Sequence, residues 1–266
     1  MSEVPQSLSG NTALVTASSR GLGKASAASL AARGANVVIN GRDETRLRRT
    51  AEELGDEHPG DVVPHAADIT TPGEITELVE RPIEEFGQLD HLVTNSGGPP
   101  SGAFADITVD QWYEAFDLLV MSVVRTVRAA TPHLRSDGGG TIVTIASRSV
   151  KEAIDALVLS NSVRMGVVGL EKTLSTELAP EVRVNAVLPG PHETARSEEL
   201  LQDAVERGEY TDYEAAVADS ADEIPLERIG QPRELGEVVA FLSSEQSSFV
   251  NGVAIPVDGG AGASNL

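Results

Sequence analysis

Seven short apolar runs, each set off by stretches of helical pattern, constrain this chain more than any other feature. The runs are Leu14–Val15, Asn36–Asn40, Val62–Ala67, His91–Thr94, Thr141–Ile145, Arg183–Val187 and Val253–Val257. Most are continuous rather than alternating, which is how parallel strands buried on both faces read. The intervening helical stretches cover residues 24–34, 43–54, 74–86, 109–133, 156–178 and 235–242. Right-handed crossovers then give an α/β fold: a doubly wound, seven-stranded parallel sheet with helices on both faces. Such sheets bind ligands where the turns leave the C-terminal strand ends. Here those turns carry Ser18–Gly23, Arg42, Asp68, Asn95–Gly97, Ser147 and Pro189–Thr194. The expected site is therefore a cleft assembled from separated segments.

The first turn has the most specific chemistry. Thr12–Gly23, TALVTASSRGLG, reads as a buried strand, a glycine turn and the start of a small-residue helix. A helix that begins at such a turn presents free N–H groups and a partial positive charge, which suits a phosphate. The spacing departs from G-x-G-x-x-G, because Ala17 stands where a first glycine is expected.

Composition narrows the partners. The chain has 266 residues with no linker or repeat, so one domain is expected over 1–266, with a polar insertion at 193–227. The net charge is −21, and Lys24, Lys151 and Lys172 are the only lysines. That argues against nucleic acid and anionic membranes, both of which need basic patches. The acids are scattered rather than clustered. This favours a halophile-like acidic shell, whose self-repulsion high salt screens, over a docking surface for a basic partner. There are no cysteines, hence no disulfides. The N-terminal MSEVPQSLSG has no apolar run, and no stretch is long and apolar enough to span a bilayer. A soluble, cytoplasmic protein is expected. His58, His65, His91 and His133 show no ligand spacing, so no metal is expected.

With these residues in order, the chain resembles the short-chain dehydrogenase/reductase family over nearly its whole length, and the resemblance implies a single-domain Rossmann fold. Thr16–Gly23 matches the family's T-G-x-x-x-G-x-G turn, which places Thr16, Ser18, Ser19, Arg20, Gly21, Leu22 and Gly23 at a dinucleotide. Asp68, followed by Ile69, matches the acid that contacts adenine. Thr94–Asn95–Ser96–Gly97 matches N-N-A-G, and Val184–Val187 with Pro189–Gly190 matches N-A-V-x-P-G. Thr194 matches a threonine at the carboxamide end of the cofactor, with His192 beside it. Arg228–Pro232, Phe241–Ser244 and Val257–Gly260 resemble the family's 3-oxoacyl thioester reductases.

Charge bears on the choice of cofactor. NAD sites of this type place an acid at the end of the second strand for the ribose 2′-OH. Counting places Asn40 there, followed by Gly41 and Arg42, with Arg20 in the glycine turn. Two guanidinium groups suit a 2′-phosphate, so NADP(H) is expected over NAD(H).

The catalytic positions depart from the family's. Of its serine, tyrosine, lysine and asparagine, only the serine remains, as Ser147; the tyrosine position is Ser160, the lysine position Arg164 and the asparagine position Leu119. Ser147 would polarise a substrate oxygen, Ser160 would add a hydrogen bond and Arg164 would hold the nicotinamide ribose. An aliphatic hydroxyl lacks the phenol's pKa near about 10, and an arginine does not shed its proton near neutral pH. Replacement proton donors could be His192, expected on a surface loop, or Tyr210 and Tyr213 in the insertion, where lid packing is their expected role. Two functional readings follow: an NADP(H)-dependent oxidoreductase acting on a small carbonyl or hydroxyl, or a non-catalytic NADP-binding sensor or regulatory partner. The two long helices carry Leu118, Val120, Val123, Val124, Val163, Val167 and Leu170. These exceed what one sheet face should cover, and the resemblance implies a homo-oligomer, a dimer or tetramer, through them.

Overall fold

A computed structural model describes residues 7–136 and 138–264. Residues 1–6, part of the stretch read above as free of an apolar leader, lie outside the described residues. Among the described residues, seven strands form one all-parallel sheet. They are β1 (Thr12–Val15), β2 (Asn36–Gly41), β3 (Val62–Ala66), β4 (His91–Thr94), β5 (Gly140–Ile145), β6 (Val182–Pro189) and β7 (Ala254–Val257). Their order is β3-β2-β1-β4-β5-β6-β7, with the switch between β1 and β4.

Successive strand residues feed opposite faces, which explains the continuous apolar runs. Leu14, Val38, Leu92, Ile142 and Val184 pack under α3 (Pro72–Phe86), α5 (Ser122–Leu134) and α6 (Val158–Glu177). Val15, Ile39, Val93, Val143 and Val187 pack under α1 (Gly21–Ala32), α2 (Glu44–Glu57) and α9 (Pro232–Ser243). No helix of the described residues is long and apolar enough to cross a membrane, and these residues hold no group of three or more potential metal ligands.

The stretch expected as one helix over 109–133 is one continuous helix that carries a π turn. It consists of α4 (Val109–Phe116), a π turn at Asp117–Met121, and α5. The Ser122 amide bonds the Asp117 carbonyl five residues back, and the Ser122 hydroxyl donates to Leu118 O. A serine that competes for backbone carbonyls and one extra residue in the turn account for the local widening.

The insertion is also more regular than its polarity suggests. It contains α7 (Ala195–Glu206) and α8 (Tyr213–Asp222), capped by Thr194 and Asp212. The apolar surplus on the long helices is smaller than expected. Val120, Val123, Val163 and Val167 are buried in the core of this chain, and Leu118, Val124 and Leu170 pack against its margin. The exposed apolar side chains of this region are instead Phe104, Val109, Tyr113, Phe116 and Met165.

Two features carry energetic consequences. Ala17 holds a positive φ of 46°, a conformation that costs a non-glycine residue about 1–3 kcal/mol. On α6, Glu171 is buried; its Oε1 accepts from Thr144 Oγ1 at 2.6 Å, and its Oε2 has no partner. Thr144 Oγ1 in turn lies 2.6 Å from Thr94 Oγ1. Burial pushes the Glu171 carboxyl up to about 7, against the opposing effect of the Thr144 bond.

Two outcomes are expected. Ala17→Gly should stabilise the protein by about 1 kcal/mol, seen as a Tm raised by roughly 2–4 °C; an unchanged or lower Tm would contradict the strain. A carboxyl whose folded pKa is raised contributes stability below its unfolded pKa that is lost as pH rises toward about 7. Glu171→Gln should therefore gain stability relative to the unsubstituted protein between pH 5 and 8, by up to ~3 kcal/mol. Denaturant titrations at the two pH values check this, and parallel pH dependences would refute it.

Candidate cofactor cleft and catalytic positions

The turn after β1 is fixed by side chains from its two neighbouring strands. Asn40 Oδ1 accepts from Ala17 N at 3.1 Å, and Asn95 Nδ2 donates to Ala17 O at 3.1 Å. Thr16 Oγ1 donates to Asn95 O and accepts from Asn95 N, both at 2.7 Å. Ser18 is buried, donating to Val15 O and accepting from Asn40 N. Gly23 sits where a Cβ would come within 2.5 Å of Ala17 O, so only glycine lets α1 start this close to the turn. Leu22 packs its side chain on the core, so its amide is what it could offer a ligand.

The first turn of α1 is open. Its N-cap, Arg20, makes no side-chain capping bond, and no acidic residue stands in that turn. The amide groups there have the orientation and polarity for a phosphate. Ser19 lies beside them, with its carbonyl taken by Thr50.

Asn40 does not face the rim. It is buried, and its Nδ2 donates to Ala67 O at 3.0 Å and to His65 O at 3.3 Å. Counting to the ribose position by spacing alone is thus corrected: beyond Asn40, β2 offers the rim Gly41, without a side chain, and Arg42. Arg42 is highly exposed, 3.8 Å from Asp68 Oδ2, and Arg20 is 4.0 Å from Glu199 Oε1. Exposed pairs at these separations hold little energy, so both guanidiniums are available. Asp68 Oδ1 accepts from Thr70 N and Thr70 Oγ1, and the Thr70 backbone bond leads the causes that hold its carboxyl below the usual range. Ile69 is buried in the core, which leaves only its backbone for a ligand.

The opposite wall comes from β4, β6 and the insertion. Ser96 is half-buried and Gly97 exposed at the mouth. Gly190 packs where a Cβ would lie 2.5 Å from the Asp258 Cβ. Thr194, the cap of α7, brings its methyl to 3.7 Å from where a Gly21 Cβ would stand. The insertion therefore rests on the glycine turn. It is also fastened across the mouth: Arg196 donates to Pro99 O at 2.7 Å, and Ser101 Oγ to Asp203 Oδ2 at 2.7 Å.

His192 is not on a surface loop. Its ring is buried against Gly230, with Nδ1 3.0 Å from Gly190 O. Burial lowers its pKa, opposed by that bond, and a bridge from His192 to Gly230 fixes the segment. Tyr210 donates its hydroxyl to Asp219 within the lid at 2.9 Å, which raises the phenol's pKa. Tyr213 opens α8 with its side chain partly exposed.

At the positions expected to be catalytic, three serines form a chain that sequence reasoning missed in part. Ser147 Oγ accepts from Ser149 N at 3.1 Å, and Ser149 Oγ lies 3.0 Å from Ser160 Oγ. Ser149 had no signal beyond adjacency to Ser147. Ser160 and Ser149 are buried, whereas Ser147 is half-buried. Arg164, one helical turn after Ser160, is half-buried, with its Nε enclosed and unpartnered. Burial, and then repulsion from Arg196, draw its pKa down to about 10, leaving it charged at neutral pH. Leu119 is buried inside the π turn and has no polar group to offer.

A family model described as enoyl-(acyl carrier protein) reductase matches residues 16–262. The 3-oxoacyl-[acyl-carrier-protein] reductase of Thermotoga maritima is 31% identical over 257 residues, covering 95% of this chain and 98% of that one. The L-sorbose reductase of Gluconobacter frateurii, solved with NADPH and L-sorbose, superposes with a TM-score of 0.92 at 30% identity, over 98% of this chain and 100% of that one. An actinorhodin polyketide ketoreductase solved with NADPH gives 0.90 at 31% identity, over 95% and 97%. The sheet order, the glycine turn and these similarities agree: the chain belongs to the short-chain dehydrogenase/reductase family.

Proposed function

We propose that this chain binds NADP(H) in preference to NAD(H) and moves a hydride between nicotinamide and a small carbonyl or hydroxyl substrate. The observation that carries the reading is the open first turn of α1, flanked by Arg20 and Arg42. The glycine-turn amides would hold the diphosphate, the two guanidiniums the 2′-phosphate, Asp68 the adenine, and Arg164 the nicotinamide ribose. Asn95, Ser96, Gly97, Pro189, Gly190, His192 and Thr194 would line the remainder, several through backbone groups. The reduced nicotinamide supplies the hydride when bound, and that step needs placement more than side-chain chemistry. The 3-oxoacyl thioester class stands nearest by the likeness of the C-terminal segments and of the Thermotoga relative. The relatives solved with NADPH support the cofactor choice.

What the chain's own residues can do at the substrate is limited. Ser147 can polarise an oxygen. Ser160 already shares a hydrogen bond with Ser149, so a proton must come from water rather than from a phenol. Missing a positioned acid–base group costs about 10²–10⁴ in rate. A slow enzyme is the first reading. The second, a non-catalytic NADP-binding protein that senses cofactor or regulates a partner, is favoured by Ser160, Arg164 and Leu119 together. A single domain acting in the cytoplasm, assembled as a dimer or tetramer through the Phe104–Phe116 and Met165 surface, completes the proposal.

Fluorescence titration in molar KCl should give NADPH affinity at least about tenfold above NADH. Arg42→Ala should weaken NADPH by roughly 10–100-fold and NADH little, the worth of a charge-assisted contact. Equal affinities for the two nucleotides would overturn the preference. NADPH absorbance followed with 3-oxoacyl esters, sugars and quinones separates the two functional readings: turnover supports the enzyme, and binding without turnover supports the alternative.

A further inference from the structure

The turn after β3, which carries Asp68, leaves the edge of the sheet, where only β2 lies beside it. Side chains must therefore hold it in place. The Asp68 amide donates to Glu74 Oε2 at 2.7 Å, and Ile69 is sunk in the core. Thr70 closes the turn on the Asp68 carboxylate: its amide and its hydroxyl both donate to Oδ1. Oδ2 is left for a ligand, with only the exposed Arg42 beside it at 3.8 Å.

The Thr70 carbonyl is taken by a group from another layer of the chain. Arg125, on α5, donates from Nη1 to Thr70 O at 3.2 Å and from Nη2 to Asp117 Oδ1 at 2.6 Å. One planar fork thus joins the edge turn to the helix. Asp117 and Arg125 are eight residues apart. In a regular helix that separation leaves them about 80° apart around the axis. The π turn takes in one extra residue, so the two stand as residues seven apart do, on one face. Helical side chains lean toward the N-terminus, which carries Arg125 back to Asp117. The widened turn therefore sets up the pair.

We propose that Arg125, held by Asp117, is a positioning residue for adenine: it fixes the Thr70 turn so that the Asp68 carboxylate accepts from the 6-amino group of the bound nucleotide. This rests on the oxidoreductase reading, in which Asp68 meets the adenine. A carboxylate can only accept, and the 6-amino group is the donor on that edge of the base. Without Arg125 the turn keeps Glu74 and Ile69, but Thr70 O loses its partner. The carboxylate that Thr70 steers then loses its fixed direction. The same fork ties the adenine end to the π turn that buries Leu119.

Calorimetric titration of the full chain in molar KCl compares NADPH and NADH with their deamino forms, whose hypoxanthine carries a carbonyl in place of the amino group. The unsubstituted protein should bind the amino form at least about tenfold more tightly, the worth of a hydrogen bond to a charged group. Arg125→Met keeps the aliphatic stem and should bring that ratio below about threefold. Arg125→Lys keeps the charge but cannot span both partners, so it should lower the ratio as well; it carries the test if the methionine variant fails to fold. A purely structural role would instead lower Tm and weaken both forms alike, and a ratio unchanged in the folded variants overturns the proposal. Equal binding of amino and deamino forms by the unsubstituted protein overturns it too. Absence of heat with both NADPH and NADH is a separate result, which removes the oxidoreductase reading and this inference with it.

Discussion

Both backbone groups of Ala17 are taken by asparagine side chains from flanking strands, and the rim of the sheet depends on that double grip. Asn40 reaches from β2 to the amide, and Asn95 reaches from β4 to the carbonyl. The turn is thereby held in a backbone conformation unfavourable to alanine, and the strain persists because neighbours over-determine it. The position of α1 follows, because Gly23 leaves no room between helix and turn. The open amides at the start of α1 are then aimed along the strand ends. The same bonds join β1, β2 and β4, the strands that flank the topological switch. Cofactor grip and sheet closure are in this sense one structure.

The proton-handling half of the site is built differently. Its groups come from the end of β5, the start of α6 and the lid, and of these only the lid touches the glycine turn, through Thr194. In the proposed reading a chain can keep the nucleotide half intact while Ser160, Arg164 and Leu119 stand where the resemblance expects tyrosine, lysine and asparagine. Where the family's phenol and ammonium would share a proton, the Ser160 hydroxyl bonds that of Ser149, Ser147 Oγ takes the Ser149 backbone N–H, and the guanidinium stays charged. The α7 fastenings to Pro99 and Ser101 add enclosure, which strengthens any charge pairing inside.

What was legible in the sequence followed from periodicity. Unbroken Val/Ile/Leu runs report double-sided burial, and the strand residues observed lie within one or two positions of those read from the runs. What was not legible depended on direction or on distant partners. Counting residues reached Asn40, but in a strand the face alternates with each residue, and Asn40 points inward to Ala67. The π turn at Asp117–Met121 goes with the Ser122 hydroxyl turning back to the chain, which composition does not reveal. His192 looked like a loop histidine because burial came from Gly230, nearly forty residues on. Arg196 carried no motif, since its place at the mouth arises only when α7 docks on Gly98 and Pro99.

Amide hydrogen exchange with and without NADPH in molar KCl tests the central claim most directly. The account predicts slowed exchange at Ser18–Gly23, at the end of β2, at Asn95–Gly97 and at Pro189–Thr194, with the far ends of the strands unchanged. Uniform exchange across these segments at saturating nucleotide, or protection confined to a surface away from the strand ends, would contradict it.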